Sequence, residues 1–336
     1  MASRVDLTLT DESWNDLCGI TPVSGDFQWG NDRNDFELAL DGAAPIPAVG
    51  SLIYQEGTGL GGMVTGGSLD TSTGEYSAIG RTWTGVLDRK VLMPDSGKAY
   101  WSVSGDVRDC AAALISRLGL GGLFSVDSAK SGVTTRHTFS GSRDDLQRDA
   151  GRYMGGWAAM WQLLVDSGCK AAFRWDSALR RVVVTVTPRE DRTDDEERHV
   201  LGAWVRATID EPPNHLVCLG NGELADRTVV HVYADRKGNI STEQVLTGLA
   251  ERVEVYDDSC AEDVDELLAN GKARLRDLIA ESRSVEVGVG DGMTLGLGDL
   301  VGTTDARSGI DVTATVTGIV ATVEAGCRVR YTYETT

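Results

Sequence analysis

A glycine-rich segment comes closest to a chemical motif in this sequence. Residues 57–62, GTGLGG, fit the GxGxxG pattern and follow a predicted strand. A dinucleotide site of this kind needs a helix directly after the glycines, because the helix N-terminus binds the pyrophosphate. Residues 63–70, MVTGGSLD, have no helical pattern, and no βαβ unit surrounds them. We therefore interpret the glycines as a flexible hairpin tip.

The histidines and cysteines do not form a metal-binding pattern. Zinc sites show pairs such as HxxxH, HExxH or CxxC, and none occurs among His137, His199, His215, His231, Cys18, Cys110, Cys169, Cys218, Cys260 and Cys327. We expect structural or surface roles for the histidines. Most cysteines are expected to be small buried hydrophobes without disulfides. The sequence predicts no metal and no cofactor.

Acidic side chains are abundant but diffuse. The run 194–197, DDEE, is typical of a solvated loop. The pairs 257–258 and 262–263 flank a predicted helix start, where negative charge is favoured. A glycosidase needs two carboxylates across a cleft, and no pair stands out; no GxSxG elbow occurs either. We assign no catalytic residue and no cofactor or metal site, and we predict that the chain is not an enzyme.

Tryptophans are scattered along the whole chain. We expect most of them to anchor a core or an interface, and stacking on sugars is the alternative. The eight residues are Trp14, Trp29, Trp83, Trp101, Trp157, Trp161, Trp175 and Trp204.

Size, composition and charge limit the class of protein. The 336 residues exceed the length at which one hydrophobic core usually stops growing, so two or more domains are expected. Forty glycines against seven prolines favour a turn-rich β protein. The net charge of −19 argues against nucleic-acid binding, because such binding needs Lys and Arg at the contact. We expect no signal peptide and no membrane insertion, because no suitable apolar stretch occurs.

Both ends of the chain have strand patterns. Alternating apolar and polar residues predict strands, separated by glycine-rich turns, at 5–9, 36–40, 50–54 and 82–87. Residues 284–336 are almost entirely strand and turn. Short strands at this spacing are typical of a barrel or sandwich.

The middle of the chain mixes helices with strands. An acidic first turn and a closing Gly119 predict a helix over 110–118. A second helix is predicted from Ser142 to Leu164, with Gly151, Gly155 and Gly156 inside it for close backbone packing.

Strands and one more helix follow. A hairpin is predicted at 171–187, a charged loop at 189–199, and strands at 205–209, 216–219 and 228–234. A third helix is predicted from Ser259, with Glu262 completing a capping box.

Two segments resemble a known family. The first is 214–223, NHLVCLGNGE, which continues to HVYAD at 231–235; the second is 297–301, LGDLV, with the strand patterns after it. With Trp29-Gly30 and DFELAL at 35–40, they resemble the tail-hub proteins of long-tailed phages of Gram-positive hosts. These belong to the same broad group as the central baseplate hub of contractile tails. Gly298 and Asp299 match the pattern best, and we interpret them as a barrel turn.

The resemblance implies a mainly β fold with two β-barrel domains and a mixed α+β domain. The first barrel would span 1–99, the mixed domain 100–200 with 234–283, and the second barrel 201–233 with 284–336. Three chains would form a pseudo-sixfold ring that joins the tail tube to the tail tip and lets DNA pass. The implied partners are two further copies, distal tail and tail-tube proteins, the tape-measure protein, and tail-tip or fibre proteins.

The same resemblance implies a virion component that is made in the host cytoplasm. Carboxylates lining the ring would let DNA slide without binding. Hubs with enzymatic activity carry it in a C-terminal extension, and this chain ends at Thr336 after the last predicted strand, which favours a structural role. Two alternatives stay open. A tail-associated cell-wall hydrolase would need paired carboxylates or a metal, and a carbohydrate-binding receptor module would need exposed tryptophans.

Overall fold

The computed structural model of the chain describes residues 5–30, 33–72, 74–140, 153–193, 204–209, 211–261, 263–288, 295–305, 310–324 and 326–335. In this part the fold is mainly β, as predicted, with 22 strands and four α-helices. The chain divides into two units, the first formed by residues 1–204 and 287–336 and the second by 205–286. The predicted division into three domains stays a prediction.

The α-helices are spread among the strands along the chain. The first half contains β1 (Leu7–Thr10), β2 (Asp16–Ile20), β3 (Ser24–Gly30), β4 (Asp35–Leu40), β5 (Leu52–Tyr54), β6 (Gly61–Leu69), β7 (Tyr76–Thr82), α1 (Trp83–Leu87), β8 (Ser102–Asp106), α2 (Val107–Arg117), β9 (Phe124–Val126), β10 (Thr134–Thr138) and α3 (Gly156–Asp166). The second half contains β11 (Cys169–Asp176), β12 (Arg181–Pro188), β13 (Asp191–Arg192), β14 (Trp204–Ile209), β15 (His215–Leu219), β16 (Val229–Ala234), β17 (Ile240–Ser241), β18 (Val253–Asp257), α4 (Val264–Glu281), β19 (Arg283–Gly288), β20 (Leu300–Asp305), β21 (Ile310–Val323) and β22 (Cys327–Thr335).

Eleven strands of the first unit form one large sheet. Their order is β13-β20-β21-β3-β4-β7-β6-β5-β1-β2, and β22 pairs with β21. Strand β3 lies antiparallel to β21, with Phe27 opposite Ala321 and Trp29 opposite Ile319. Strands from both ends of the chain therefore share this sheet. The pairings of the described residues close neither this sheet nor any other into a barrel.

Alternating side chains place a core against one face of this sheet. In β4, Phe36, Leu38 and Leu40 are at most 1% exposed, whereas Glu37 between them is exposed. Successive side chains of a strand point to opposite faces, so this pattern buries a single face. The ring centroid of Phe27 lies 5.3 Å from that of Phe36. Full burial of a side chain of this size stabilises the fold by about 1.5–3 kcal/mol.

A second core of the first unit lies around α2, α3 and the β11–β12 hairpin. The predicted helix at 110–118 is confirmed as α2, where the Asp106 side chain accepts a hydrogen bond from the Arg108 N–H and Gly119 has φ +71°. The predicted hairpin is also confirmed, with Phe173 opposite Val184. The indoles of Trp83 and Trp175 stack at 6.1 Å.

The predicted strand at 82–87 is wrong, because Trp83–Leu87 form α1 instead. All five residues of this short helix are buried. A β carbon on Gly85 would lie 1.9 Å from the Asn34 carbonyl oxygen, so only glycine permits this approach. The Thr84 hydroxyl also donates to Asn34 Oδ1 at 2.5 Å. Tertiary contacts thus override the strand-like composition of the segment.

Two predicted helix starts differ from the structure. The helix predicted from Ser142 is observed from Gly156. Residues 142–152 lie outside the described residues. Gly155, just before the helix, forms an isolated antiparallel β-bridge with Val91. The expected close packing is found at Gly156, where a β carbon would lie 2.3 Å from the Leu87 carbonyl oxygen. The helix predicted from Ser259 begins at Val264.

A different cap explains the later start of α4. Glu262 lies outside the described residues, and the carboxylate that accepts from the helix belongs to Asp263, whose Oδ1 lies 2.8 Å from the Glu266 backbone nitrogen. An aspartate at this position satisfies one of the unpaired N–H groups of the first turn. Ser259 instead belongs to the turn before the helix, in which the Ala261 N–H donates to the Asp258 carbonyl.

The second unit is a small sheet with α4 against one face. The strand order is β17-β16-β15-β18, and β14 pairs with β19. The predicted strands at 205–209, 216–219 and 228–234 are confirmed as β14, β15 and β16. Leu216, Cys218, Val232, Leu267 and Leu275 form the buried core of the unit.

Candidate functional site

Strand β22 forms an exposed edge of the large sheet. It pairs with β21 along one side, and no described strand pairs with its other side. Arg328 and Arg330 are exposed, and Val329 between them is 46% exposed. An edge strand presents a row of unpaired backbone N–H and C=O groups, which can pair with a strand of another chain. β22 is therefore a candidate assembly surface.

Strand β2 forms the edge at the other end of the same sheet. It pairs with β1, with Leu7 opposite Ile20, and has no second partner among the described strands. Leu17 is 60% exposed, and the carboxylates of Asp6 and Glu12 nearby in sequence are exposed. Residues 5–30 contain no Lys or Arg. Strand β2 itself carries one charged residue, the exposed Asp16, whereas β22 carries Arg328, Arg330 and Glu334. The formal charge is therefore −1 on β2 and +1 on β22.

A buried carboxylate fixes the turn before β20. Asp299 is fully buried, its Oδ2 lies 2.9 Å from Lys170 Nζ, and its Oδ1 accepts from the Glu190 N–H at 2.8 Å. Gly296 also donates its N–H to Asp299 Oδ2 at 2.6 Å, and Gly298 has φ +93°. Gly298 and Asp299 lie at a turn, as predicted, and the part of the interpretation that places this turn in a barrel stays a prediction. The Asp299 side chain also joins donors from three segments, so its role is structural.

Two histidines that are distant in sequence meet in the second unit. His215 Nδ1 lies 2.6 Å from Glu251 Oε1, and His215 Nε2 lies 2.8 Å from His231 Nδ1. The Tyr233 ring stacks on His215 at 4.3 Å. Both ring nitrogens of His215 are occupied by these hydrogen bonds, so this histidine is held in place structurally. The register of β15 and β16, which the structure supplies, sets His215 opposite Tyr233 and Val217 opposite His231 and so brings the two histidines together.

The other predicted histidines lie apart from this pair. His137 is buried, and its Nδ1 lies 3.4 Å from Asp166 Oδ2. Burial lowers the pKa of His137. His199 and the acidic run 194–197 lie outside the described residues. Among the residues that the structure describes, no three His, Cys, Asp or Glu side chains are placed to hold a metal ion.

The six cysteines are all free thiols. Cys110, Cys169 and Cys218 are buried, Cys18 is half-buried, and Cys260 and Cys327 are exposed. Burial raises the pKa of Cys218 to about 11, which keeps this thiol protonated and unreactive at neutral pH.

The glycine-rich segment is a hairpin connection, as predicted. Residues 55–60 join β5 to β6, which are antiparallel, and Gly61 and Gly62 are the first residues of β6, with Tyr54 opposite Gly61. A strand follows the glycines instead of the helix that a dinucleotide site requires. The Gly57 N–H donates to the Trp175 carbonyl at 3.3 Å, so the loop lies against β11.

The tryptophans mostly pack in the cores, as predicted. Trp83, Trp157 and Trp175 are buried, and the Trp157 indole donates to the Gly30 carbonyl at 2.7 Å. The half-buried indoles, which pack against the larger core, are those of Trp14, Trp29, Trp101 and Trp161. Of these, Trp14 borders two surface clefts. Polar and charged side chains are among the other residues that line them. No side-chain placement is described for Trp204.

Comparison with known proteins gives structural matches only. No family model and no curated protein matches the chain. A prophage tail protein from Listeria monocytogenes EGD-e matches with a TM-score of 0.48 and 13% identity, over 99% of this chain and 94% of that one. The 43 kDa tail protein of prophage MuSo2 from Shewanella oneidensis matches with a TM-score of 0.48 and 12% identity, over 98% of both chains.

A third match is of the same kind. A tail protein from Neisseria meningitidis MC58 has a TM-score of 0.46 and 14% identity, over 98% of this chain and 96% of that one. All three matched structures are tail proteins, and two of them come from prophages. Because the TM-scores lie below 0.5, these matches assign no function to the chain.

Within the described part, none of the helices is long and apolar enough to cross a bilayer.

Proposed function

We propose that the chain is a structural component of a phage tail tip, a hub protein. In this proposal three copies form a pseudo-sixfold ring that joins the tail tube to the tail tip. The segments at 214–235 and 297–301, which resemble tail-hub proteins, suggest this role. The chemistry of the two sheet edges supports assembly of several copies.

The observation that carries the proposal is the opposite charge of the two open edges. β22 carries exposed Arg328 and Arg330 and one carboxylate, that of Glu334, so its formal charge is positive. β2 carries the exposed Asp16, and the segment before it adds exposed Asp6 and Glu12. Pairing of β22 with β2 of the next copy would satisfy the backbone groups of both edges. Such a head-to-tail contact uses two different surfaces, and it generates a ring when the rotation closes. The charges favour this pairing and disfavour pairing of like edges.

The domain layout implied by the resemblance belongs to this proposal. Two barrel domains, 1–99 and 201–233 with 284–336, would supply the two similar positions that each copy occupies in a pseudo-sixfold ring. The mixed domain, 100–200 with 234–283, would lie outside them. The partners would be the distal tail and tail-tube proteins, the tape-measure protein and tail-tip or fibre proteins, with the chain as part of the virion.

The net charge of the chain bears on how DNA would pass through the lumen of such a ring. The chain carries −19, and carboxylates along a lumen repel phosphates, so DNA would pass without binding. A structure of the assembled ring with a basic or neutral lumen would contradict this part of the proposal.

Copy number in purified phage particles tests the central claim. Quantitative mass spectrometry against the major tail-tube protein is expected to give about three copies per particle, the number for a cyclic threefold assembly. Absence of the chain from particles would overturn the structural role.

Charge reversal tests the edge contact itself. The double variant Arg328→Glu, Arg330→Glu should fold but fail to enter particles, because it places carboxylates against the acidic β2 edge. The matched control is Arg136→Glu, since Arg136 is exposed on β10, outside the large sheet. If both variants enter particles equally, β22 is not the assembly edge.

We also propose that the chain has no catalytic role in the tail. The alternative, a cell-wall hydrolase, predicts a cleared zone when the purified chain is run in a gel that contains host cell walls. Such a zone, lost on denaturation, would overturn this proposal.

A further inference from the structure

Two surface clefts of the first unit share one wall, the side chain of Trp14. The first cleft, of about 210 Å³, is lined by Trp14, Trp175, Asn15, Asp16, Ser177 and Arg180. The second, of about 370 Å³, has Trp14, Met63, Val86, Arg89, Lys90 and Leu120 among its lining residues. Because Trp14 borders both clefts, a ligand long enough to occupy both would pass over its indole.

Hydrogen bonds to Asp11 define the turn that carries Trp14. Trp14 has a left-handed backbone with φ +63°, which is unfavourable for a residue with a β carbon. The Asp11 carboxylate holds the turn in place, because its Oδ1 accepts from the N–H groups of Ser13 and Asn15, each at 2.8 Å. The Asn15 amide donates to Asp11 Oδ2 at 2.8 Å. The turn therefore places Trp14 at the boundary of the two clefts.

Backbone strain is concentrated at the first cleft. Within the described residues, three non-glycine residues have a positive φ: Trp14, Arg180 at +50° and Leu224 at +51°. Trp14 and Arg180 line this cleft together, and Arg180 Nη2 donates to the Ser13 carbonyl at 2.8 Å. Strained backbone that surrounding contacts enforce is characteristic of binding sites. Two of these three residues therefore lie at one cleft and are linked by a hydrogen bond.

The groups of the first cleft match a neutral hydroxylated ring. Asp16 supplies acceptor oxygens, Arg180 supplies donors, and the Asn15 amide supplies both. A carboxylate and a guanidinium at one small cleft leave no excess charge to select a charged ligand. A hydroxyl group, however, both donates and accepts, and it can bond to either of them. An indole is amphipathic and gives a large flat surface for the apolar face of a sugar ring.

The second cleft has a different chemistry. Its cationic residues are Arg89 and Lys90, and neither lies within 4.0 Å of a carboxylate of the described residues. Arg89 Nη1 instead lies 3.0 Å from Met63 Sδ, which is a weak acceptor. Apolar side chains, including Val86 and Leu120, form the remaining wall. Two cations that have no carboxylate partner within the described residues, beside apolar surface, favour a ligand group that carries a negative charge.

We propose that these clefts bind an acidic oligosaccharide. A neutral sugar occupies the first cleft against Trp14, Asp16 and Arg180, and a sugar with a carboxylate occupies the second against Arg89 and Lys90. This binding activity goes beyond the proposed structural role, and it does not depend on ring formation because both clefts belong to a single copy.

The test uses the full-length purified chain on an array of neutral and acidic oligosaccharides and acidic peptides. Two reference ligands are used in solution. The acidic one is a tetrasaccharide of alternating glucuronic acid and N-acetylglucosamine, and the neutral one is cellotetraose. Calorimetry and indole fluorescence measure the binding of each. Acidic oligosaccharides should bind at least about tenfold more tightly than neutral ones. Binding of peptides alone, or of no glycan on the array, would overturn the proposal.

Variants assign the binding to the clefts. Trp14→Ala should weaken binding of the acidic glycan by at least about tenfold, and Arg89→Gln with Lys90→Gln should remove the preference for acidic over neutral glycans. Leu224→Ala is the matched control, because Leu224 has the same backbone conformation but lies in the second unit. If Trp14→Ala does not fold, Arg180→Ala tests the same cleft.

The outcomes separate this proposal from the proposed function. Unchanged binding in a folded Trp14→Ala or Arg180→Ala variant would overturn the assignment to the clefts. The Arg328→Glu, Arg330→Glu variant should bind the glycan like the original chain. A failure of ring assembly would therefore leave glycan binding intact, and a failure of glycan binding would leave the copy number unchanged.

Discussion

The ammonium group of Lys170 lies 2.9 Å from the buried Asp299 carboxylate, which joins β11 to a turn 129 residues further along the chain. Lys170 also contacts Glu190 Oε1 at 2.9 Å, and the Glu190 N–H donates to Asp299. Three segments of the first unit thus meet at one carboxylate. Removal of this carboxylate leaves donors without a partner, and this makes Asp299 a sensitive position for stability.

Asp299→Ala should lower the free energy of unfolding by about 2–6 kcal/mol, because it leaves the backbone N–H groups of Glu190 and Gly296 without an acceptor, at about 1–3 kcal/mol each. It also removes one of the two carboxylates that contact Lys170. Denaturation by urea, followed by circular dichroism, measures this change. The control is Asp95→Ala, which removes an exposed partner of Arg117 and should cost at most about 1 kcal/mol. Equal effects of the two variants would contradict the structural role of Asp299.

Gly85→Ala should destabilise the first unit by about 1–3 kcal/mol or more, because its β carbon would clash with the Asn34 carbonyl behind α1. The matched variant is Gly66→Ala in β6, where a β carbon meets nothing within 4 Å and φ is not left-handed. That substitution should be neutral or slightly stabilising. Thermal unfolding of both variants compares them. A tolerated Gly85→Ala would show that Trp83–Leu87 does not pack as α1.

Asp263→Ala should destabilise the second unit by about 1 kcal/mol, because it removes the acceptor for the Glu266 N–H at the start of α4. Ser259→Ala, at the position that the sequence pattern suggested as the cap, should leave stability nearly unchanged. Urea denaturation monitored by helical circular dichroism distinguishes the two. A larger effect of Ser259→Ala would place the helix start where the sequence pattern put it.

Acidification should weaken the first unit through His137. Burial lowers the pKa of His137 below 6.5, so the folded state binds the proton less readily than the unfolded state. The stability from the neutral ring is complete above pH 6.5 and is lost as the pH falls from there through the folded pKa. The free energy of unfolding should therefore fall less steeply between pH 7 and pH 5 in His137→Phe than in the original chain. This substitution keeps an aromatic ring beside Phe139. An unchanged slope would contradict this account.

The two edges of the large sheet illustrate what a sequence pattern can and cannot reveal. The alternation in β4 and β22 predicts strands, and the charges of Arg328 and Arg330 are visible in the sequence. Their position at a free edge is not visible, because pairing depends on contacts such as Phe27 with Ala321. The same holds for Trp14 and Arg180, which are 166 residues apart in the chain and line one cleft.

The sequence by itself determined the mainly β class, α2, the β11–β12 hairpin and the absence of a helix after residues 57–62. These features follow from local periodicity, capping and turn residues, which act within a few positions along the chain. Only the tertiary structure decided that Trp83–Leu87 is helical, that Asp299 is a buried acceptor, and that His215 meets His231. Those outcomes depend on burial and hydrogen bonding between distant segments, which local propensity does not contain.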